Sequence, residues 1–208
     1  MLGELFSEEE MEDSRIIAGC DEAGRGPLAG PVVAACCVLP PDFPSEILND
    51  SKKMSEKERL KAEEIIKEKA IAWSLSAVSN EVIDEINILR ASLLAMKLSY
   101  LKVKRKIKPD LLLVDGNKTP DVDIMVKAVV KGDAKVAEIM AASILAKNER
   151  DRIMLLADEL FPGYGYRKHK GYPTKEHTES IKKYGSNIIT RTSFHLKSEN
   201  LSPQSLLL

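Results

Sequence analysis

The stretch Asp21-Glu22-Ala23-Gly24-Arg25-Gly26-Pro27-Leu28-Ala29-Gly30-Pro31 sets two adjacent carboxylates at the end of an apolar run and follows them with glycines and a cation. Ionised carboxylates resist burial without a partner, so this pair must face solvent or a cation, and a divalent metal is the natural partner. Gly24 and Gly26 let the main chain approach a ligand closely, and Arg25 adds a positive group beside the acids. The combination suits a phosphate-and-sugar backbone. It does not suit a dinucleotide, because Gly24-x-Gly26-x-x-x-Gly30 would have to open a helix, whereas Pro31-Val32-Val33-Ala34-Ala35 opens a strand. Taken alone, the stretch also reads as an exposed acidic turn between two strands.

Asp115 and Asp133 each follow an apolar strand and lie beside glycine, so Asp21, Glu22, Asp115 and Asp133 are expected to converge at one edge of a sheet. Four oxygen donors without His or Cys suit Mg²⁺ or Mn²⁺ rather than zinc. Singly, each aspartate beside a glycine is ordinary turn chemistry. Ser51, Lys52 and Lys53 form a small basic cluster suited to phosphate oxygens, and Ser143 and Lys147 share one helix face in an otherwise apolar stretch. By composition alone, a helix cap and a solvated lysine serve these residues equally well. Tyr172 reads by itself as a loop aromatic, and Arg150, Asp151 and Arg152 as a structural ion network. His169, His177 and His195 have no ligand spacing and read as weak phosphate contacts or satisfied surface groups.

The elements that must position these residues follow from periodicity. Arg15 to Cys20 and Pro31 to Leu39 read as buried strands flanking the glycine-rich loop. Ser55 with Glu58 is a capping-box signature opening a helix to about Lys69, with Leu60, Ile65 and Ile66 on its apolar side. Ile71 to Val78 alternates like a half-buried strand, Asn80 is placed to cap a short helix, and Ile88 to about Lys104 makes a longer one. Asp110 to Asp115 and Ile124 to Val130 are strands, each delivering an aspartate. A central helix runs from about Val136 to Leu160, and Thr174 caps a last helix that stops at Gly185. Strands first, then alternating helices and strands, predict an α/β fold with a mixed central sheet flanked by helices.

Composition sets the outer limits. The 208 residues, 44% hydrophobic, fit one domain, and 5% aromatic content excludes a base-stacking platform rich in Phe and Tyr. The longest apolar run, Val32 to Leu39, is far short of the roughly 20 residues a membrane span needs, and the acidic N-terminus is no signal peptide. Cys20, Cys36 and Cys37 lack zinc or disulfide spacing and read as buried thiols of a reducing compartment, so a cytoplasmic protein is expected. The net charge of −1 is unevenly spread, with an acidic leader over 1–14 and eight Lys or Arg against Glu176 and Glu179 over 161–197.

In order along the chain, Gly19-Cys20-Asp21-Glu22-Ala23-Gly24-Arg25-Gly26-Pro27, Asp50-Ser51-Lys52-Lys53, Val114-Asp115-Gly116-Asn117 and Lys131-Gly132-Asp133 are followed by Ala141-Ala142-Ser143-Ile144-Leu145-Ala146-Lys147, Arg150-Asp151-Arg152, His169-Lys170-Gly171-Tyr172-Pro173-Thr174 and Arg191-Thr192-Ser193-Phe194. With these motifs, spanning about residues 15 to 195, the chain resembles the type 2 ribonuclease H family in its bacterial form. The resemblance implies a ribonuclease H-like fold over residues 15–198 with a helical C-terminal region at about 161–198, leaving the leader and a tail over 199–208 as accessories. It implies that Asp21, Glu22, Asp115 and Asp133 are catalytic metal ligands for two ions about 4 Å apart, one activating water and one stabilising the leaving 3′ oxygen. The products would be a 3′-hydroxyl and a 5′-phosphate. Gly24, Arg25 and Gly26 match the loop that reads the ribose 2′-hydroxyl, and Tyr172 matches the tyrosine that packs on the sugar after the ribonucleotide. Ser51, Lys52, Lys53, Ser143 and Lys147 would add backbone contacts.

The expected substrates are RNA–DNA hybrids and duplex DNA carrying single ribonucleotides, in ribonucleotide removal, primer processing, DNA replication and repair. A monomer is expected, and nothing in the chain indicates a sliding clamp. Two other readings are a resolvase or integrase on the same fold, which the 2′-hydroxyl loop disfavours, and a noncatalytic nucleic-acid-binding module. The latter has no use for four acids that repel phosphate.

Overall fold

The computed structural model describes residues 16–194. Its five-stranded sheet is built from β1 (Ile17–Ala23), β2 (Val32–Val38), β3 (Ala72–Val78), β4 (Leu111–Asp115) and β5 (Met125–Val129), in the order β3-β2-β1-β4-β5. The strand β2 runs antiparallel to both β1 and β3, whereas β1 runs parallel to β4 and β4 to β5. The helices are α1 (Glu56–Lys69), α2 (Asn80–Ile86), α3 (Ile88–Lys104), α4 (Ala137–Leu160), α5 (Tyr166–His169) and α6 (Lys175–Tyr184), with 3-10 turns at Ser45–Ile47 and Gly132–Ala134. This is the mixed sheet flanked by helices, with a helical C-terminal region, that the pattern predicts. The leader, the tail and His195 lie outside the described residues.

Strand alternation sorts the core into two layers. Ala18 and Cys20 of β1, with Leu112 and Val114 of β4, pack on Ala91, Ala95, Met96 and Tyr100 of α3. On the other face, Ala35 and Cys37 of β2 meet Ala62 and Ile66 of α1 and Ala141, Ala142, Ile144 and Leu145 of α4. Leu111 and Leu113 reach Ile139. Because β2 is covered on both sides, every one of its residues is buried, and it reads as an unbroken apolar run. All three cysteines are free and buried, as expected. No helix among the described residues is long and apolar enough to cross a membrane.

Gly19 decides how close α4 comes. A Cβ there would lie 2.3 Å from the Glu138 carbonyl carbon, so only glycine lets the first turn of α4 rest directly on β1.

Three local expectations are corrected. The first strand continues through Asp21 and Glu22, which pair with Ala35 and Ala34, so both carboxylates belong to the sheet rather than to a turn. In α1 the capping box between Ser55 and Glu58 forms, but Leu60 is exposed, and the buried stripe is Arg59, Ala62, Glu63 and Ile66. The reason lies across the interface, where α4 offers Asn148, Asp151 and Arg152 as polar partners. The cap of α2 is Ser79, whose Oγ accepts the Val82 N–H, while the Asn80 amide donates to the carbonyls of Ile188 and Thr190. Thr174 and Gly185 do bound α6.

Candidate active site

Adjacent residues on a strand point to opposite faces, and this separates the two neighbouring acids. Asp21 shares the parity of Gly19 and turns toward α4, where it is 4% exposed and Ser143 hydrogen-bonds its carboxylate. Glu22 shares the parity of Cys20 and turns toward α3, into a recess with Leu89, Ser92 and Leu93. Its Oε1 lies 3.4 Å from Arg25 Nη1.

Asp115 closes β4, and its Oδ1 accepts the N–H groups of Gly132 (2.7 Å) and Asp133 (3.4 Å). This ties the end of β4 to the 3-10 turn that carries Asp133. At Gly132 the absence of a Cβ leaves room for Ile139, whose Cδ1 would lie 2.6 Å from one. One carboxylate oxygen each from Asp21, Asp115 and Asp133 lie within 4.8 Å of one another. Glu22 stands outside this triangle but lines the same cleft.

Burial, then the charges of Glu22 and Asp115, push the Asp21 carboxyl well above the usual carboxylate range. Burial raises Glu22 as well, with Asp115 adding to the effect and Arg25 opposing it. Crowded, desolvated carboxylates of this kind call for a cation, and a donor set of oxygens alone suits a hard divalent ion. Lys52 supplies one positive charge from within the chain, its Nζ 2.9 Å from Asp133 Oδ2.

The cleft measures about 210 Å³ and is lined by Asp21, Glu22, Gly24, Arg25, Gly26, Ser51, Lys52, Asp115, Ser143, Lys147 and Tyr172, with Ala23. The fold thus brings together nearly every residue that the sequence nominates. Ser51 and Ser143 hydrogen-bond each other at 2.8 Å beneath Asp21. Burial lowers the Lys147 ammonium, and Asp151, 2.6 Å away, holds it charged. Tyr172 leans over the glycine loop, its Cε1 3.6 Å from where a Gly26 Cβ would stand. Lys53 is the exception. It turns away from the cleft, lies 3.9 Å from Asp50 and lines a separate recess beside α1.

Two buried arginines shape the loop, and sequence reasoning assigned them no such part. Arg191 donates to the carbonyls of Gly24, Arg25, Pro27 and Gly30, and Arg150 to those of Ala29, Pro31 and Lys170. Asp151 and Arg152 do belong to the expected ion network, through Arg59, Lys147 and Glu63. Arg150 instead serves main-chain oxygens. Burial, and the charge of Arg150, push the Arg191 guanidinium down to about 9. An arginine's burial has no periodic signature, so only its place within two of the matched motifs could have marked either residue. His169 and His177 also depart from expectation, being buried and stacked on each other rather than at the surface.

Comparison with known proteins places this arrangement. The ribonuclease HII family model matches residues 18–197. Ribonuclease HII of Nitrosomonas europaea is 52% identical over 186 residues, covering 89% of this chain and 85% of its own length. The Dechloromonas aromatica ribonuclease HII is 48% identical over 187 residues, covering 90% and 94%. A chain of the PCNA:RNase HII complex from Archaeoglobus fulgidus superposes with a TM-score of 0.70 at 27% identity, over 89% of this chain and 98% of that one. Ribonuclease H2 of Pyrococcus horikoshii superposes with a TM-score of 0.67 at 28% identity, over 86% and 93%.

Proposed function

The chain belongs to the ribonuclease HII family and is a ribonuclease H acting on RNA–DNA hybrids, and from that premise we propose that it also nicks duplex DNA on the 5′ side of single embedded ribonucleotides. The products would be a 3′-hydroxyl and a 5′-phosphate, and the role would be ribonucleotide removal and primer processing.

The observation that carries this reading is the orientation of the glycine loop. In a trans peptide the carbonyl and the following N–H point in opposite directions. Arg191 draws the carbonyls of Gly24 and Arg25 inward, so the N–H groups of Arg25 and Gly26 point the other way. Main-chain donors aimed from a rigid loop that lines the cleft can recognise a 2′-hydroxyl, the group that separates RNA from DNA. Tyr172, exposed beside them, offers its ring to the next sugar.

Asp21, Asp115 and Asp133, with Glu22 beside them, would hold Mg²⁺ or Mn²⁺. A pair of such ions supplies an activated water and stabilises the leaving oxygen. The chain's own residues prepare the site. Ser143, backed by Ser51, orients Asp21, and the N–H groups of Gly132 and Asp133 orient Asp115. Arg25, Lys52 and Lys147 contribute positive charge toward backbone phosphates.

The test is cleavage of a labelled DNA duplex carrying one ribonucleotide, with Mg²⁺, with Mn²⁺ and with EDTA, beside an all-DNA control. A metal-dependent cut on the 5′ side of the ribonucleotide, absent from the control, is the expected result. Cutting confined to long hybrids would withdraw the junction role from Tyr172.

A further inference from the structure

We propose that His169 and His177 form a buried clamp that positions Tyr172 against the glycine loop, and that His177 thereby helps set the preference for a ribonucleotide followed by deoxyribose. The inference rests on the reading of Tyr172 given above. Neither histidine touches substrate in this reading; both are positioning residues.

The two rings stack with centroids 4.5 Å apart and planes 18° apart. His177 is fully buried and His169 is 8% exposed. The ring of Tyr166 meets both edge-on. Each imidazole has a fixed assignment for its two nitrogens. In His169, Nδ1 accepts the Gly171 N–H, so the proton sits on Nε2, 2.9 Å from the Tyr164 carbonyl. In His177, the proton sits on Nδ1 and is donated to the Tyr172 carbonyl at 3.1 Å. The remaining Nε2 of His177 is buried without a hydrogen-bond partner. A second proton on His177 would have to sit on this buried, unpartnered nitrogen. Burial, with His169 nearby, accordingly lowers the affinity of His177 for a proton.

What the clamp holds is a strained four-residue segment. Lys170 has a φ of 51° and Gly171 a φ of 83°, both left-handed. The far side of the segment is bonded to the substrate loop, where the Leu28 N–H donates to the Gly171 carbonyl and Arg150 donates to that of Lys170. The Tyr172 main chain is held at both ends, its N–H by the His169 carbonyl and its carbonyl by the Thr174 N–H together with His177 Nδ1–H. Tyr172 therefore takes its place over Gly26 from the histidines on one side and from the glycine loop on the other.

The experiment compares kcat/KM on a DNA duplex with one ribonucleotide against kcat/KM on a uniform RNA–DNA hybrid, the ratio being the preference. Asn at 177 carries an amide nitrogen where Nδ1 stands, whereas Gln carries it where Nε2 stands. His177→Asn is expected to keep the preference, and His177→Ala and His177→Gln to reduce it about tenfold, the size of one lost buried hydrogen bond. Adding His177→Ala to Tyr172→Ala is expected to change nothing further, since the two act through one contact. Equal losses on both substrates for all three His177 variants would overturn the clamp and leave the stack as packing. If Tyr172→Ala lowers the preference and His177→Ala does not, the clamp fails while the reading of Tyr172 stands. If Tyr172→Ala leaves the preference unchanged, that reading fails and takes the clamp with it.

Discussion

Lys52 reaches across 81 positions of sequence to place its ammonium 2.9 Å from Asp133 Oδ2. The contact sets one positive charge beside the three clustered aspartates, and the hydrogen bond to Asp133 raises the ammonium's own affinity for its proton. The lysine thus stands on a group proposed to hold metal.

Replacing this lysine tests that relationship without any substrate. In Lys52→Gln the acids lose their internal counter-ion, and stability without divalent ions is expected to fall by about 0.5 to 1 kcal/mol, as for a partly exposed ion pair. The rise in Tm on adding Mg²⁺ should be larger than in the parent protein, because the cation no longer competes with Lys52 for Asp133. Differential scanning fluorimetry across a Mg²⁺ titration reads both effects, and an unchanged Mg²⁺ response would show that Lys52 does not guard the site.

Asp133→Asn keeps the shape of the turn and removes a charge from the carboxylate triangle. Turnover on RNA–DNA hybrid is expected to drop on the order of 10³-fold, several kcal/mol of lost transition-state stabilisation. Binding of the same hybrid should persist or strengthen, because one acid fewer repels phosphate. Single-turnover cleavage beside a fluorescence anisotropy titration separates the two quantities. Lost binding with full residual cleavage would overturn the assignment.

Arg150 is 1% exposed and donates to three carbonyls, those of Ala29, Pro31 and Lys170. Arg150→Met fills similar volume and leaves those oxygens buried without donors, at an expected loss of about 3 kcal/mol. Arg167→Ala removes an exposed arginine paired with Asp158 and Glu159 and should stay within about 0.5 kcal/mol. Urea denaturation of the two variants gives the contrast directly.

Glu63 gives the protein an acid limit. Burial opposes its ionisation, but Arg152, Lys67 and Asn148 outweigh burial and hold the carboxyl at about 2. A depressed folded-state pKa stabilises the protein above the unfolded pKa, and this contribution is lost as pH falls toward the folded value. The window therefore runs from about pH 4.5 down to about pH 2, and the group contributes on the order of 3 kcal/mol above it. Stability measured against pH by denaturant should decline through that window in the parent protein. The decline should be shallower in Glu63→Gln, which starts from a lower plateau.

The sequence by itself determined the order of elements and the acids' identities, because both are written in local pattern. An apolar run that ends in Asp and Gly can be read within ten residues, as at Leu111 to Gly116, and so can the Ser55–Glu58 capping box. The long-range structure decided everything that depends on which layer covers which face. Asp21 and Glu22 are neighbours in the chain, yet strand alternation turns one toward α4 and the other toward α3, and only the packing says which of them joins Asp115 and Asp133. Lys52 enters the cleft while Lys53 turns away, and Leu60 is exposed because α4 presents polar groups to α1. Arg150, Arg191 and the stacked histidines owe their burial to partners more than a hundred residues away or to a strained loop. No short-range pattern encodes an arginine's distance to a carbonyl across the fold, so these supports of the site became visible only once the chain had closed on itself.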